Sequence, residues 1–414
     1  MNRKPLLSFF IGLLGLLSLA SGATAEVVHR WTQLGPGSDV IVRAITRGSA
    51  CPEVQADGRS VAMTQRAAPT ARFPGRVCET TLRRSSRQVT LDDRALPTLA
   101  PAAQRIAVIG DTGCRIKGKW AQACNDPAAW PFGAIAKAIV KQQPDLVIHV
   151  GDYWYREAPC PASADCQGSP YGHNGSAWAA DWFDPAQPLL SQAPFLFLRG
   201  NHERCGRASE GWYRYLAVGP APAGCDDVTA PWKTRVNGVD MIAFDSSAGP
   251  PSHSAPDNLE TYRRQAKEMF AGLQGEAWLL THRPLWAYLR AFGTLITGDG
   301  TQRAAFGGTI PGNVHAVLSG HLHAFQALDM ELGPVQLIAG NSGTRLDPMP
   351  TEVRRDVDIG GRQAATILSD AGFGFILLRR TGEGRWHMEA HGADGAVRRR
   401  CVLSAGGLSC DGVR

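Results

Sequence analysis

Five apolar segments of this chain each run into polar residues able to hold a cation. Ile106–Ile109 leads to Gly110-Asp111-Thr112-Gly113, Leu146–Val150 to Gly151-Asp152-Tyr153-Trp154-Tyr155, and Phe195–Leu198 to Gly200-Asn201-His202-Glu203. Ala277–Leu280 leads to Thr281-His282-Arg283-Pro284, and His315–Leu318 to Ser319-Gly320-His321-Leu322-His323. Continuous apolar runs of this length read as strands buried on both faces. Loops at the carboxyl ends of such strands converge, and open α/β sheets bind ligands there. A single Gly-Asp turn is ordinary, since Asp favours turns, and a lone histidine is more often a satisfied polar group than a ligand. Five such sets in order, each at a strand end, are hard to obtain by chance.

The segments between these strands support an α/β core. Phe132, Ile135, Ala136, Ile139 and Val140 recur at helical spacing before Pro144, and Leu259, Tyr262, Ala266, Met269, Phe270 and Leu273 form a second stripe within Asn258–Leu273. Further strands are expected over Met241–Phe244, Val335–Ile338 and Phe373–Leu378. Residues 26–100 read differently, as a small β-rich N-terminal domain in which Val40-Ile41-Val42 and Val61-Ala62-Met63 lie among Gly, Pro and Ser clusters. That domain holds no catalytic set, and structural support is the role expected of it. Pro97–Pro101 reads as a linker to a main domain over 101–400, with 401–414 a C-terminal tail. Residues 156–194 form a Pro/Gly/Ser-rich insertion whose aromatics, Tyr171, Trp178, Trp182 and Phe183, serve either as pocket wall or as packing.

A length of 414 residues suits two or three domains, and 44% hydrophobic with 19% charged residues suits a chain with a core. The absence of repeats or low-complexity tracts excludes fibrous, solenoid and wholly disordered classes. The net charge of +6 comes without long basic runs and carries no nucleic-acid-binding signal. Residues 1–25 read as a signal peptide: Asn2-Arg3-Lys4, then a nearly all-apolar Leu6–Leu19, then Ala23-Thr24-Ala25 as a small-x-small cleavage site. No later apolar run is long enough to span a bilayer, so an exported protein, periplasmic or extracellular, is expected. All ten cysteines follow the leader and none forms a C-x-x-C pair, which favours disulfides over a zinc ribbon. Pairing of neighbours is expected: Cys51–Cys78, Cys114–Cys124, Cys160–Cys166, Cys205–Cys225 and Cys401–Cys410.

The series GDTG, GDYWY, GNHE, LLTH and GHLH resembles the calcineurin-like metallophosphoesterases, and within them the purple acid phosphatases, over roughly residues 105–345. The resemblance implies a four-layer αββα sandwich. Many relatives outside the purple branch carry Asp-x-His in the first motif; this chain has Gly113 there, and Tyr155 fits the purple branch's Gly-Asp-x-x-Tyr. The fourth motif begins with Leu279 where the family usually has Val. Residue by residue, the resemblance implies that Asp111, Tyr155 and His323 hold one ion, Asn201, His282 and His321 a second, and Asp152 bridges them. Carboxylate with phenolate suits a trivalent ion such as ferric iron, and Asn with two His suits a divalent Fe, Zn or Mn. The implied activity is hydrolysis of small-molecule phosphate monoesters by a metal-bound hydroxide, with His202 as the catalytic non-ligand that binds phosphate or protonates the leaving group.

Other readings stay open at this point. The same site with two divalent ions would suit a phosphodiesterase or nucleotidase, and the fold could serve a non-catalytic binding protein. His149 is expected to support the site or pack in the core rather than ligate. Glu203 either hydrogen-bonds a ligand histidine or closes its turn, and Arg283 meets either phosphate or a surface acid. Gly340-Asn341-Ser342-Gly343 is a turn near the site or an ordinary one. His253, in the loop after Asp245, is a candidate second acid, though an exposed loop histidine explains it better.

Overall fold

The computed structural model describes residues 25–37, 39–248, 256–291, 293–307 and 310–412. The leader and His253 lie outside the described residues. Two large sheets face each other. In spatial order the first has eleven strands: Gly407–Cys410, Val397–Ser404, Arg385–Gly392, Gly374–Gly382, Arg105–Ile109, Leu146–His149, Phe195–Phe197, Glu26–Leu34, Asp39–Arg47, Arg76–Arg83 and Thr64–Ala67. The second has eight: Trp232–Val236, Val239–Phe244, Ala277–Thr281, Val314–Ser319, Val335–Ala339, Phe325–Met330, Gln363–Asp370 and Glu352–Asp358.

Strand alternation explains the layering, because successive side chains point to opposite faces. Ile106, Val108, Leu146 and Ile148 of the first sheet meet Trp278, Leu280, Ala316 and Leu318 of the second in a shared inner core. Ala107, Ile109 and Val147 point outward onto Ile135 and Ile139 of the Phe132–Lys141 helix. On the other side Ile242, Phe244, Leu279 and Val317 cover Tyr262, Ala266 and Met269 of the Pro256–Phe270 helix. The result is the α/β sandwich of four layers, with a helix on each outside face.

The strands that end in the five motifs are parallel neighbours. Arg105–Ile109, Leu146–His149 and Phe195–Phe197 pair in parallel in one sheet, as do Ala277–Thr281 and Val314–Ser319 in the other. Their carboxyl ends therefore open on the same edge of the sandwich. The Phe373–Leu378 expectation is met by Gly374–Gly382, which joins antiparallel to Arg105–Ile109. The insertion at 156–194 is locally folded: Gly175–Trp178, Ala179–Phe183 and Asp184–Leu190 are helical, and Trp178, Trp182 and Phe183 are buried in one cluster with Tyr153 and Phe197. Tyr171 is exposed. The cysteines pair as expected in all five cases.

The β-rich N-terminal stretch has a small core of its own, built from Val42, Val54, Cys78, Leu82, Val89 and Leu91. It also extends the first sheet, through parallel pairing of Gln33 with Phe195. Arg43, fully buried, donates to the carbonyls of Tyr215 (2.6 Å) and Ala217 (2.7 Å) and to Glu79 (2.9 Å). It thereby satisfies carbonyls at the end of the Ser209–Tyr215 helix, which the helix itself leaves unpaired. Replacing Arg43 with Ala strands the Tyr215 carbonyl, while Arg66 still donates to the Ala217 carbonyl (3.0 Å) and to Glu79 (3.1 Å). Urea denaturation of Arg43→Ala should show a loss of about 2 kcal/mol, the scale for a buried acceptor left without its donor.

Candidate metal centre

Three of the site's residues reach the edge through a backbone that only a special turn allows. Asp111, Asp152 and His321 all adopt the left-handed conformation, with φ of 56°, 60° and 70°. For non-glycine residues this conformation is uncommon and costs free energy, so it persists where surrounding contacts enforce it. The Asp111 carboxylate accepts from the His321 N–H (2.9 Å), and two further buried carboxylates hold the loops that carry Asp111 and Asp152. Glu203 accepts from the backbone N–H of Asp152 (3.1 Å), Tyr153 (2.9 Å), Trp154 (3.2 Å) and Gly200 (3.1 Å), stitching the second motif to the third. Asp181, from the insertion, accepts from the N–H of Tyr155 (2.7 Å) and Cys114 (3.0 Å) and from Arg156 (2.6 Å). Glu203 thus closes the turn and hydrogen-bonds no histidine ring. Burial, with Asp152 adding, pushes its carboxyl up to about 8, against the lowering effect of those N–H donors. The role of Asp181 is invisible in the sequence, where it is one acid in a helical stretch carrying no motif.

The structure gathers all seven residues expected as ligands. Tyr155 Oη lies 3.0 Å from Asp111 Oδ1, 2.9 Å from Asp152 Oδ2 and 3.1 Å from His323 Nε2. His282 Nε2 lies 3.0 Å from Asn201 Oδ1 and 3.4 Å from Asp152 Oδ2. Nitrogen or oxygen donors of Asp152, His282 and His321 come within 4.8 Å of one another. Asp152 is the one member shared by the two groups. Two Nδ1 atoms behind the cluster are engaged, His282 with the Val150 carbonyl (2.8 Å) and His323 with the Arg345 carbonyl (2.9 Å), which turns each Nε2 inward. This is how backbone acceptors orient metal-binding imidazoles.

Electrostatics favour a cation. Asp111, Asp152 and Tyr155 are fully buried or nearly so. Burial and the neighbouring Asp152 raise the Asp111 carboxyl well above its ordinary value, and burial with both carboxylates does the same to the Tyr155 phenol. On Asp152, burial is outweighed by His282 and His202, which hold it low. Three acidic oxygens so close together share protons unless positive charge arrives, and no guanidinium hydrogen-bonds to any of them among the described residues. The donor set fits two cations: carboxylate, phenol and imidazole on one side, amide and two imidazoles on the other.

His202 sits beside this cluster without joining it. Its Nδ1 lies 2.9 Å from the Trp154 carbonyl, its Nε2 3.9 Å from Asp152, and its ring centre 3.9 Å from that of Tyr155. Arg207 approaches both ring nitrogens, at 3.0 and 3.1 Å, and pairs with Glu157 at 2.6 Å. Arg207 is a further residue the sequence did not single out. Arg283 is buried rather than on a surface, with Nη1 2.9 Å from His321 Nε2 and Nε on the Ser246 carbonyl. His149 hydrogen-bonds Thr112 at 3.0 Å and stacks on Tyr153, behind the cluster. The Gly340–Gly343 turn lies against the first motif: the backbone N–H of Ser342 donates to the Gly110 carbonyl and, just beyond, that of Thr344 to the carbonyl of Asp111.

Two glycines make room for the cluster. A Cβ on Gly200 would collide with Asp152 Oδ1. A Cβ on Gly113 would meet the Tyr153 carbonyl and stand 2.9 Å from Tyr155 Cδ2 and 3.0 Å from Asp181 Oδ2. The Tyr153 carbonyl and the phenol ring together fill the space that a side chain at 113 would need. Gly113→Ala should displace Tyr155 and weaken metal binding at least about tenfold, the scale seen when ligand support is disturbed. Titration calorimetry with the divalent and ferric ions checks it. Adding Tyr155→Ala, which removes the ring, should recover part of the thermal stability that Gly113→Ala loses.

No curated protein sequence matches the chain. A purple acid phosphatase, PPD1 from yellow lupin (Lupinus luteus) seeds, is similar in fold at 15% identity and TM-score 0.60, covering 92% of this chain and 74% of that one. A structure of PhoD is similar at 11% identity and TM-score 0.56, covering 93% of this chain and 92% of its own. The calcineurin-like phosphoesterase family model matches residues 104–325. That span is more than half of the chain and carries all five motifs, so the chain belongs to the calcineurin-like phosphoesterases, metal-dependent hydrolases with a binuclear metal centre.

Proposed function

We propose that this protein is an exported phosphomonoesterase of the purple acid phosphatase type. In this reading Asp111, Tyr155 and His323 hold a ferric ion, Asn201, His282 and His321 hold a divalent Fe, Zn or Mn, and Asp152 bridges them. The observation that carries the reading is Tyr155 Oη lying between Asp111, Asp152 and His323. A phenolate among carboxylates is a hard anionic set suited to a trivalent ion. When bound, the ions would neutralise the ester's charge and acidify water between them.

The chain's own groups supply the rest. Asp152, held by the His202 N–H at 2.8 Å and the Tyr155 hydroxyl, fixes the spacing of the two halves. His202, with Nδ1 committed to the Trp154 carbonyl, presents Nε2 to the ester. As the imidazolium it gives the Nε2 proton to the departing oxygen while the P–O bond breaks and the oxygen of a water that has lost a proton to solvent bonds to phosphorus; an alkoxide leaves poorly without the Nε2 proton. Export into an oxidising compartment is supported by the leader-like residues 1–25 and by five disulfides.

Protein purified from its own host should be purple or pink, from a ferric phenolate, and should hydrolyse phenyl phosphate. Tyr155→Phe should lose the visible band. Asp152→Asn should lose at least about a hundredfold in kcat/KM, the scale for removing one charge-stabilising group from a phosphoryl or acyl transfer site. A colourless, iron-free and fully active enzyme would replace the ferric assignment with two divalent ions. Unchanged hydrolysis in Asp152→Asn would remove the catalytic site from this edge of the sandwich.

A further inference from the structure

The imidazole of His202 is held on three sides. Its Nδ1 lies 2.9 Å from the Trp154 carbonyl, and the Tyr155 ring, 3.9 Å away centre to centre, covers one face. Arg207 covers the other. Its Nη2 stands 3.0 Å from Nδ1 and 3.1 Å from Nε2. A nitrogen so nearly equidistant from both could lie in the ring plane only by overlapping ring carbons, so it sits over a face. Tyr155 already fills one face, which leaves Arg207 the opposite one. A closed turn brings Arg207 there: the Ala208 N–H donates to the His202 carbonyl at 3.0 Å, and the Arg207 N–H to that of Arg204 at 3.1 Å. Cys205, inside this turn, is tied to Cys225. The guanidinium is anchored in turn, with Nη2 2.6 Å from Glu157 Oε1 and Nη1 3.4 Å from the Asn201 carbonyl. Glu157 follows Tyr155 by two residues, and its own N–H donates to the Ile116 carbonyl at 2.9 Å. With 18% and 20% of their side chains exposed, Arg207 and Glu157 are shielded from the screening that weakens surface pairs.

We propose that Arg207 is a positioning residue for proton delivery: it clamps His202 against Tyr155 so that the Nε2 edge of the ring, and not a face, meets the departing oxygen. Proton transfer needs the ring nitrogen within hydrogen-bond reach of that oxygen. A catalytic group that is present but misplaced loses rate. With the ring clamped, the Nε2 proton passes to the oxygen, which leaves as the alcohol, and the imidazole regains a proton from solvent. The guanidinium does not simply oppose a charged ring, because Glu157 matches it. Glu157 Oε1 stands 3.8 Å from Nδ1 and Asp152 Oδ2 3.9 Å from Nε2, so a proton on His202 faces two carboxylates against one guanidinium. The assignment deepens the phosphomonoesterase reading and rests on it for His202 as the acid.

Leaving groups of different basicity test the clamp. On metal-loaded protein, kcat/KM is measured for phenyl phosphate and for 2,4-dinitrophenyl phosphate, whose leaving group departs readily as an anion and has little need of an acid. Arg207→Met keeps an unbranched stem without the guanidinium, and Arg207→Ala removes both. Thermal unfolding checks each fold, and either variant suffices. The loss with phenyl phosphate should exceed the loss with the dinitrophenyl ester at least about tenfold, within the range for misplacing a catalytic group. The Ki of inorganic phosphate should stay near its native value, since Arg207 acts through His202. Equal losses with both esters, or none with either, would overturn the proposal. Equal losses with weaker phosphate inhibition would make Arg207 a phosphate-binding residue instead. His202→Asn, on the same two esters, reports on the acid itself. A strong leaving-group dependence there, with none in the Arg207 variants, would remove only the clamp. No dependence in His202→Asn would remove the acid reading and the clamp with it.

Discussion

The carboxylate of Asp152 is the point on which the rest of the site depends. Its Oδ1 takes the His202 N–H, its Oδ2 takes the Tyr155 hydroxyl and stands 3.4 Å from His282 Nε2, and its own N–H is held by Glu203. Three separate loops are therefore tied to one residue, and that residue has a φ of 60°. A residue that could relax to an ordinary backbone would carry its carboxylate away from at least one of these partners. Non-glycine left-handed residues are held only by over-determined surroundings, and Asp152 is surrounded on every side by directional bonds.

The supporting acids explain how so much unfavourable geometry is tolerated in one place. Glu203 and Asp181 are both fully buried, yet each collects several N–H donors from the strained loops. A carboxylate with that many donors offsets its own desolvation and fixes the loops at once. The division of labour is spatial: Glu203 joins the second motif to the third, while Asp181 brings the insertion under Tyr155. The insertion, with Trp178 and Trp182 packed beneath Tyr153, is thus a buttress of the metal centre.

The buried strands and the residues at their ends were legible because both signals are local. An apolar run such as Leu146–Val150 cannot be placed at a surface, and a Gly-Asp pair after it needs no partner to be recognised. The neighbour pairing of cysteines was legible for the same reason, since short loops bring their own ends together. What the sequence hid is what depends on distant partners. Nothing near Asp181 tells that it meets the N–H of Tyr155, and nothing near Arg207 tells that it lies against His202. The charge of Arg283 suits a surface residue, but Ser246 and His321 give it a buried place. The strands after residue 350 were also hidden, apart from Phe373–Leu378: in Glu352–Asp358 charged residues dominate, because the strand lies at a sheet edge with one face in solvent.

Gly113 links the smallest sequence difference to the largest chemical one. A side chain at position 113 of this chain would meet the Tyr153 carbonyl and stand 2.9 Å from Tyr155 Cδ2, so glycine leaves the ring its place. Removing the side chain admits a phenol, and with it a third acidic oxygen beside Asp111 and Asp152. The cluster then becomes electrically lopsided. Its Asp111–Tyr155–His323 half is acidic and packed against the insertion, while its Asn201–His282–His321 half is neutral and backed by Arg283. On the proposed assignment the higher charge of a ferric ion would be matched on the acidic side, leaving the Asn201 side the less neutralised. An incoming phosphate would then be drawn toward that side by Coulomb attraction in a poorly screened setting. On that assignment the glycine at one turn would set the direction from which a phosphate ester approaches.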